Sequence, residues 1–191
     1  MRTVLAVAVL AAVVSGAAPV SESRTQEVTA RMQAWSAALG VDCTHCHRAG
    51  QWADESMPTF AFARRMQAMV EGLNSGPLRG IGEITCATCH RGKPIPNRLP
   101  RRAWETTLAD HEAEFAGNKN RGLAMSVYSA SLGVDCSHCH ETDRSLNTKP
   151  PKAIVAKMLP IFDEIPKYFD DTRRPVTQCY MCHQGKIKPE R

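Results

Sequence analysis

One short cysteine–histidine pattern occurs four times in this chain of 191 residues. All eight cysteines form pairs with two residues between them, and a histidine follows the second cysteine of every pair. Histidine supplies only 7 residues of the chain, so four chance repetitions would have odds on the order of a few in a million. The cysteines are Cys43, Cys46, Cys86, Cys89, Cys136, Cys139, Cys179 and Cys182, and the histidines are His47, His90, His140 and His183.

We number these motifs from first to fourth along the chain, and their chemistry indicates haem c. Two thiols add to the vinyl groups on one edge of a porphyrin, and the adjacent histidine ligates the iron from one face. The motifs therefore predict four covalently attached haems, with eight cysteine anchors and four proximal histidine ligands. Two Cys₄ zinc sites or a disulfide framework would use the same sulfurs but would leave the four histidines without a role.

The N-terminal residues predict export. Arg2 precedes an apolar run over residues 4–14, and the small residues 15–18 come directly before a proline. This order is typical of a secretory signal peptide, so we expect residues 1–18 to be removed and the protein to be periplasmic or at the cell surface. An uncleaved anchor is the alternative, although the run is short for a membrane helix. No later segment is apolar enough to span a bilayer.

The composition is that of a globular protein, with 43% hydrophobic and 23% charged residues. Aromatic residues make up only 6%, which is few for a core filled by side chains alone, and a bound cofactor could fill the remainder. The net charge of +5 is scattered along the chain and no known nucleic-acid-binding module accompanies it. We therefore expect no nucleic-acid partner.

The chain contains an internal duplication. The first two motifs begin 43 residues apart, as do the last two, and the two halves are offset by 93 residues. Residues 32–47 overlay residues 125–140 without a gap, and 11 of the 16 positions are identical. The sequence therefore predicts two tandem dihaem repeats, at residues 19–93 and 101–191. The segment 94–100 contains three prolines and is the predicted linker, since proline continues neither a helix nor a sheet.

Each repeat shows the order helix, motif, helix, motif, so we expect a mainly α multihaem cytochrome c with long loops around the haems. Met32, Trp35 and Leu39 recur at helical spacing, and Gly40 stands where a helix would end. Pro58 can begin the next helix. The last helix, near residues 152–169, should be kinked by its two internal prolines.

A haem iron bound by one histidine needs a second axial ligand unless the site is open for chemistry. Met32 and Met125 each precede their motif by 11 residues at matching positions of the two repeats, and both are predicted ligands. Candidates for the other haems are Met69, or Met66, and Met158. A methionine on an apolar helix face is more often simple core packing, which is the alternative for each.

Two further histidines, His45 and His138, occupy the second spacer position of the first and third motifs. Each could ligate a neighbouring haem or contact a propionate, or could be an exposed flank of the attachment loop. Exposure is the reading we favour.

These residues resemble the cytochrome c subunit bound to photosynthetic reaction centres and its smaller relatives. The resemblance implies two haem pairs in a row, each haem lying against a helix whose methionine is the sixth ligand. By position those ligands are Met32, Met69, Met125 and Met158, and Val70 with Asn74 favours Met69 over Met66. Pro160 and Pro166 depart from the family pattern around Met158. The matching segments are residues 39–47, 69–74, 84–94, 132–140 and 178–186.

The sequence thus predicts an electron-transfer protein rather than an enzyme, with redox proteins of unknown identity as donor and acceptor. The chain is shorter than the reaction-centre subunits and has no cysteine at the cleavage point for a lipid anchor. Both features favour a carrier without a membrane span over a photosynthetic subunit. The alternatives are an electron donor associated with a reaction centre, a self-assembling haem filament subunit, and a multihaem reductase with one open haem.

Overall fold

The computed structural model describes residues 22–110, 117–146, 148–169 and 179–190. The predicted signal peptide, residues 1–18, lies outside these ranges. The described residues form helices and no β-strand, so the prediction of a mainly α fold is confirmed. The helices are α1 Glu22–Leu39, α2 Pro58–Ser75, α3 Cys86–His90, α4 Arg101–Asp110, α5 Lys119–Leu132, α6 Pro150–Met158, α7 Ile161–Glu164 and α8 Tyr180–His183, with 3₁₀ turns at Cys43–His45, Cys136–His138 and Ile165–Tyr168.

Glycine ends α1 and α5 in the same way. Gly40 and Gly133 have φ angles of +65° and +64°, a region that glycine enters without steric cost. A Cβ at either position would collide with a carbonyl oxygen, that of Gly92 or Gly185 respectively. The long helix of each half therefore ends directly against the turn that follows the second motif of the same half.

The same contact is closed by a backbone hydrogen bond in both halves. The Gly92 N–H donates to the carbonyl oxygen of Ala38 at 2.8 Å, and the Gly185 N–H donates to that of Ser131 at 2.9 Å. These pairs are related by the offset of 93 residues. The duplication seen in the sequence is thus accompanied by a duplicated backbone contact that sets each long helix beside a motif.

Prolines break the last helical region into short pieces, as the sequence predicted. α6 ends at Met158, Pro160 precedes α7, and Pro166 lies in the 3₁₀ turn Ile165–Tyr168. Proline lacks the N–H that an internal helical position donates, and its ring clashes with the preceding turn. The turn Ile165–Tyr168 that follows these pieces packs against α2.

The buried apolar core of the described residues is small and centres on α2. Phe60, Val70 and Leu73 on this helix are buried, and Leu99 in the predicted linker is buried as well. Gly72 allows close approach to the second half, since a Cβ there would collide with the Tyr168 hydroxyl. Within the described ranges, no helix combines the length and the apolar character needed to cross a bilayer.

Candidate haem-attachment sites

An aspartate shapes the backbone at the first and third motifs. The Asp42 carboxylate accepts hydrogen bonds from the Thr44 N–H (2.9 Å) and hydroxyl (2.6 Å). Asp135 accepts the same pair of bonds from Ser137 and a third from the His138 N–H. These bonds lower the pKa of both aspartates. Each carboxylate caps the 3₁₀ turn that holds the first cysteine of its motif.

The second and fourth motifs lie on short helices that end in a left-handed turn. α3 holds the second motif, and α8 holds most of the fourth. The residues after the histidines, Arg91 and Gln184, have φ angles of 49° and 46°, and a glycine with positive φ follows each of them. The turn reverses the chain directly after the histidine and returns it toward the motif.

This reversal orients two histidine rings. His90 Nδ1 lies 2.9 Å from the carbonyl oxygen of Lys93, and His183 Nδ1 lies 3.0 Å from that of Lys186. Because a carbonyl oxygen only accepts hydrogen bonds, Nδ1 carries the proton and Nε2 of the neutral ring keeps its lone pair. Burial lowers the pKa of His90, which favours the neutral ring. Both imidazoles are thus prepared to ligate a metal through Nε2.

The other two motif histidines have a buried nitrogen without a hydrogen-bond partner. Among the described residues, Nδ1 of His47 and of His140 makes no hydrogen bond. The His47 ring packs against Phe60 with centroids 4.9 Å apart, and Trp52 lies at 6.3 Å. Burial, and secondarily the charge of Lys152, lowers the pKa of His140.

Two cavities adjoin the first motif. A small one of about 40 Å³ is lined by Met32 together with Cys43, Cys46 and His47. A larger one of about 320 Å³ reaches from Cys46 to the second motif and is lined mainly by apolar side chains, including Met66. The structure therefore brings the predicted ligand Met32 to the first motif. His45 is exposed but contributes to the lining of the larger cavity.

The cavity at the third motif, about 250 Å³, is also lined by a predicted methionine ligand and by motif residues, but its lining carries more positive charge. Met125 lines it together with Cys136, Cys139 and His140, so this predicted ligand also lies beside its motif. Among the residues that the structure describes, three cations line the same cavity, whereas none lines either cavity at the first motif. The cations are Arg121, Arg144 and Lys152.

The second and fourth motifs share one apolar cavity of about 280 Å³. Met69 and Met158, the remaining predicted ligands, both line it, as do Met66 and Met181. The structure thus brings both methionines to their motifs but does not separate the two sites from each other. The motif residues in the lining are Cys86, Cys89, His90, Cys179, Cys182 and His183.

Sequence reasoning missed the contact between these two motifs. Cys89 and Cys182 have Cα atoms 4.3 Å apart, and their sulfurs are joined in a disulfide. The one available signal was that the two cysteines occupy the same position of the duplication, 93 residues apart. A thioether to haem at either position requires this bond to be open.

The comparison with protein families assigns the chain to a class of cytochromes. Residues 13–124 match the sequence model described as "Photosynthetic reaction centre cytochrome C subunit". The chain belongs to this family. Members of the cytochrome c class bind haem c covalently, so the motifs, rather than zinc or a set of disulfides, define the cofactor class.

Individual relatives of this reaction-centre cytochrome family are similar at low identity. The photosynthetic reaction center cytochrome c subunit of Thermochromatium tepidum is 27% identical, over 77% of this chain and 52% of the relative. That of Rubrivivax gelatinosus is 25% identical, over 77% and 58%. Cytochrome c-554 of Chloroflexus aurantiacus is 32% identical over 77 residues, 38% of this chain and 19% of the relative. The chain thus spans about half the length of the first two relatives.

The residues present fit haem c. At every motif a pair of cysteines and a histidine line a cavity that a methionine also lines. Burial raises the pKa of Cys86 and Cys179, so both side chains are neutral thiols at neutral pH and suit an apolar cavity. The small side-chain core around α2 leaves these cavities for a large apolar group.

Proposed function

We propose that this chain is a tetrahaem c-type cytochrome that carries electrons through four covalently bound haems. The observation that carries the proposal is the methionine that lines the cavity beside each of the four motifs. Bound haem would supply reversible one-electron chemistry. The chain supplies the anchors, the axial ligands and an environment of low polarity.

The roles follow from the donor atoms. The eight cysteines are the thioether anchors, and the four motif histidines ligate iron through Nε2. Met32, Met69, Met125 and Met158 are the sixth ligands of the first to fourth haems. A neutral thioether sulfur favours the reduced iron, so histidine–methionine ligation gives a higher potential than two histidines would.

The order of the cavities supports a route for electrons. One cavity joins the first and second motifs, and another joins the second and fourth. The third motif lies at the C-terminal end of α5, which packs against α8. We infer the spatial order first, second, fourth, third, with the exchange between the halves taking place at the shared cavity.

The proposal includes the organisation and location of the protein. The two repeats would be residues 19–93 and 101–191, joined by 94–100 and exported by the signal peptide 1–18. Periplasmic or cell-surface redox proteins would be the donor and acceptor. The names of the relatives favour a second candidate, an electron donor to a photosynthetic reaction centre, and binding to purified reaction centres would distinguish the two.

The test is the haem content and redox activity of the exported protein, made in a host that attaches haem c. The mass of the mature chain should exceed that of the polypeptide after residue 18 by four haems. The pyridine haemochrome should give four haems per chain, all of them reducible. Fewer than four haems per chain would refute the proposal. Fast binding of carbon monoxide by the native reduced protein would favour a reductase.

A further inference from the structure

Arg91 reaches from the turn after the second motif to the turn after the fourth. Its Nη2 donates to the carbonyl oxygen of Cys182 at 2.9 Å. Its Nη1 lies 3.3 Å from Gln184 Oε1 and 3.4 Å from Glu190 Oε2. All of these partners belong to residues 182–190. The backbone of Arg91 therefore belongs to the second motif, whereas its charge lies at the fourth.

The duplication makes this charge asymmetric. Gln184 is the equivalent of Arg91 and has nearly the same backbone angles, φ 46° and ψ 47° against φ 49° and ψ 49°. Its side chain is uncharged: its Nε2 donates to the carbonyl oxygen of Met181 at 3.4 Å, and its Oε1 accepts from Arg91 and from Asn97 Nδ2. Lys93 and Lys186 also correspond, so each half carries that lysine. At this pair of equivalent positions, only the first half supplies a cation that crosses to the other half.

The charge of Arg91 is shielded from solvent more than its counter-ion is. The Arg91 side chain is 19% exposed, whereas that of Glu190 is 54% exposed. Arg91 Nε is buried and has no hydrogen-bond partner among the described residues. Glu190 also pairs with Lys186, and the lowered pKa of Glu190 is due first to Lys186. An exposed, shared carboxylate screened by water offsets a half-buried guanidinium only in part.

We propose that Arg91 sets the direction of electron transfer between the two halves. Its fixed positive charge raises the reduction potential of the haem at the fourth motif above that of the haem at the second. The ferric iron carries one more positive charge than the ferrous iron, so a nearby cation destabilises the oxidised form. One electron passes from ferrous iron at the second motif to ferric iron at the fourth, with no bond formed and no proton moved. This inference rests on the proposed tetrahaem function.

The test requires a signal from each of the two haems separately. Cys179→Ala removes one of the two thioethers at the fourth motif but leaves Cys182, whose carbonyl oxygen binds Arg91. A haem with one thioether keeps a conjugated vinyl group, which shifts its α band to longer wavelength. Cys86→Ala marks the haem at the second motif in the same way. A redox titration at the shifted band then gives the midpoint potential of the marked haem alone.

Arg91→Gln is the main variant, because it gives residue 91 the side chain of Gln184, the equivalent residue of the second half. We expect the midpoint potential of the fourth-motif haem to fall, with a smaller change at the second motif. Lys93→Gln is the matched control, since it removes an exposed cation two residues away whose ammonium donates to Asn97 Oδ1 at 2.9 Å, while the backbone carbonyl that binds His90 stays in place. Lys93→Gln should shift the midpoint potentials of both haems less than Arg91→Gln shifts that of the fourth-motif haem. High salt should reduce the effect of Lys93→Gln more than the effect of Arg91→Gln. Arg91→Lys keeps the positive charge, so the midpoint potential of the fourth-motif haem should stay close to that of the parent protein.

Glu190→Gln provides a test that leaves Arg91 in place. Removing the exposed counter-charge should raise the potential of the fourth-motif haem, the opposite sign to Arg91→Gln, so the proposal stays testable if Arg91→Gln does not mature. The inference would be overturned if the midpoint potential of the fourth-motif haem were unchanged in both Arg91→Gln and Glu190→Gln. It would also be overturned if the potentials of the second-motif and fourth-motif haems shifted equally. The haem count of each preparation separates this failure from a failure of the tetrahaem proposal.

Discussion

Replacing Gly40 with alanine would push the end of α1 away from the turn that follows the second motif. Gly40 has a φ of +65°, and an added Cβ would collide with the carbonyl oxygen of Gly92. The same turn is bonded to α1 through the Gly92 N–H and the Ala38 carbonyl oxygen at 2.8 Å. The substitution therefore perturbs both the left-handed backbone at residue 40 and the contact that sets α1 beside α3.

The size of the effect follows from these two features. A residue with a Cβ in the left-handed region costs about 1–2 kcal/mol, and a backbone shift forced by an added carbon costs about 1–3 kcal/mol more. We expect Gly40→Ala to lower the free energy of unfolding of the haem-loaded protein by roughly 2–5 kcal/mol. Gly50→Ala is the control, because Gly50 has a φ of +78° but nothing lies within 4 Å of its added Cβ.

Guanidinium unfolding followed by far-ultraviolet circular dichroism measures both variants. Gly50→Ala should lose only the backbone cost, about 1–2 kcal/mol, and Gly40→Ala should lose measurably more. The near-infrared band of methionine-ligated ferric haem gives a second readout, and it should change in Gly40→Ala alone. If the two variants lose the same stability, the contact between α1 and the turn at Gly92 does not restrain the second motif and our account of the packing is wrong.

Three further predictions concern the sites. Met158→Ala should open one haem iron, so that the reduced protein binds carbon monoxide rapidly. Met181→Ala, in the same cavity, should not bind carbon monoxide rapidly. Equal rates of carbon monoxide binding by the two variants would exclude Met158 as the sixth ligand. When the chain is made without haem, oxidised and digested, peptide mapping should find Cys89 linked to Cys182, and the mature protein should give no such peptide. Finding the linked peptide in mature protein would contradict haem attachment at both positions. Asp42→Ala should destabilise the protein at neutral pH. Because the folded-state pKa of this carboxyl is lowered, its contribution is present above the unfolded value of about 3.9 and lost as pH falls through the folded value. Variant and parent should therefore converge in acid unfolding curves below that pH, and a constant difference would contradict the capping role.

Features that depend on neighbours along the chain could be predicted from the sequence. The spacing of cysteine and histidine is short, so it indicates the attachment chemistry whatever the rest of the fold does. Pro58 begins α2 and Gly40 follows α1, because backbone conformation at proline and glycine is set mainly by the residue itself. Pro160 and Pro166 break the last helix for the same reason.

Features that join the two halves were decided by the tertiary structure. Position along the chain and the family resemblance assigned Met69 and Met158 to the second and fourth motifs, but neither indicated that one cavity holds both. The contact of Cys89 with Cys182 and the hydrogen bond of Arg91 to the Cys182 carbonyl oxygen connect residues more than 90 positions apart. A sequence pattern reports which residues share a face of one element, whereas such contacts depend on how two elements dock. The duplication determined that the halves are alike, and only their packing determined which equivalent residues meet.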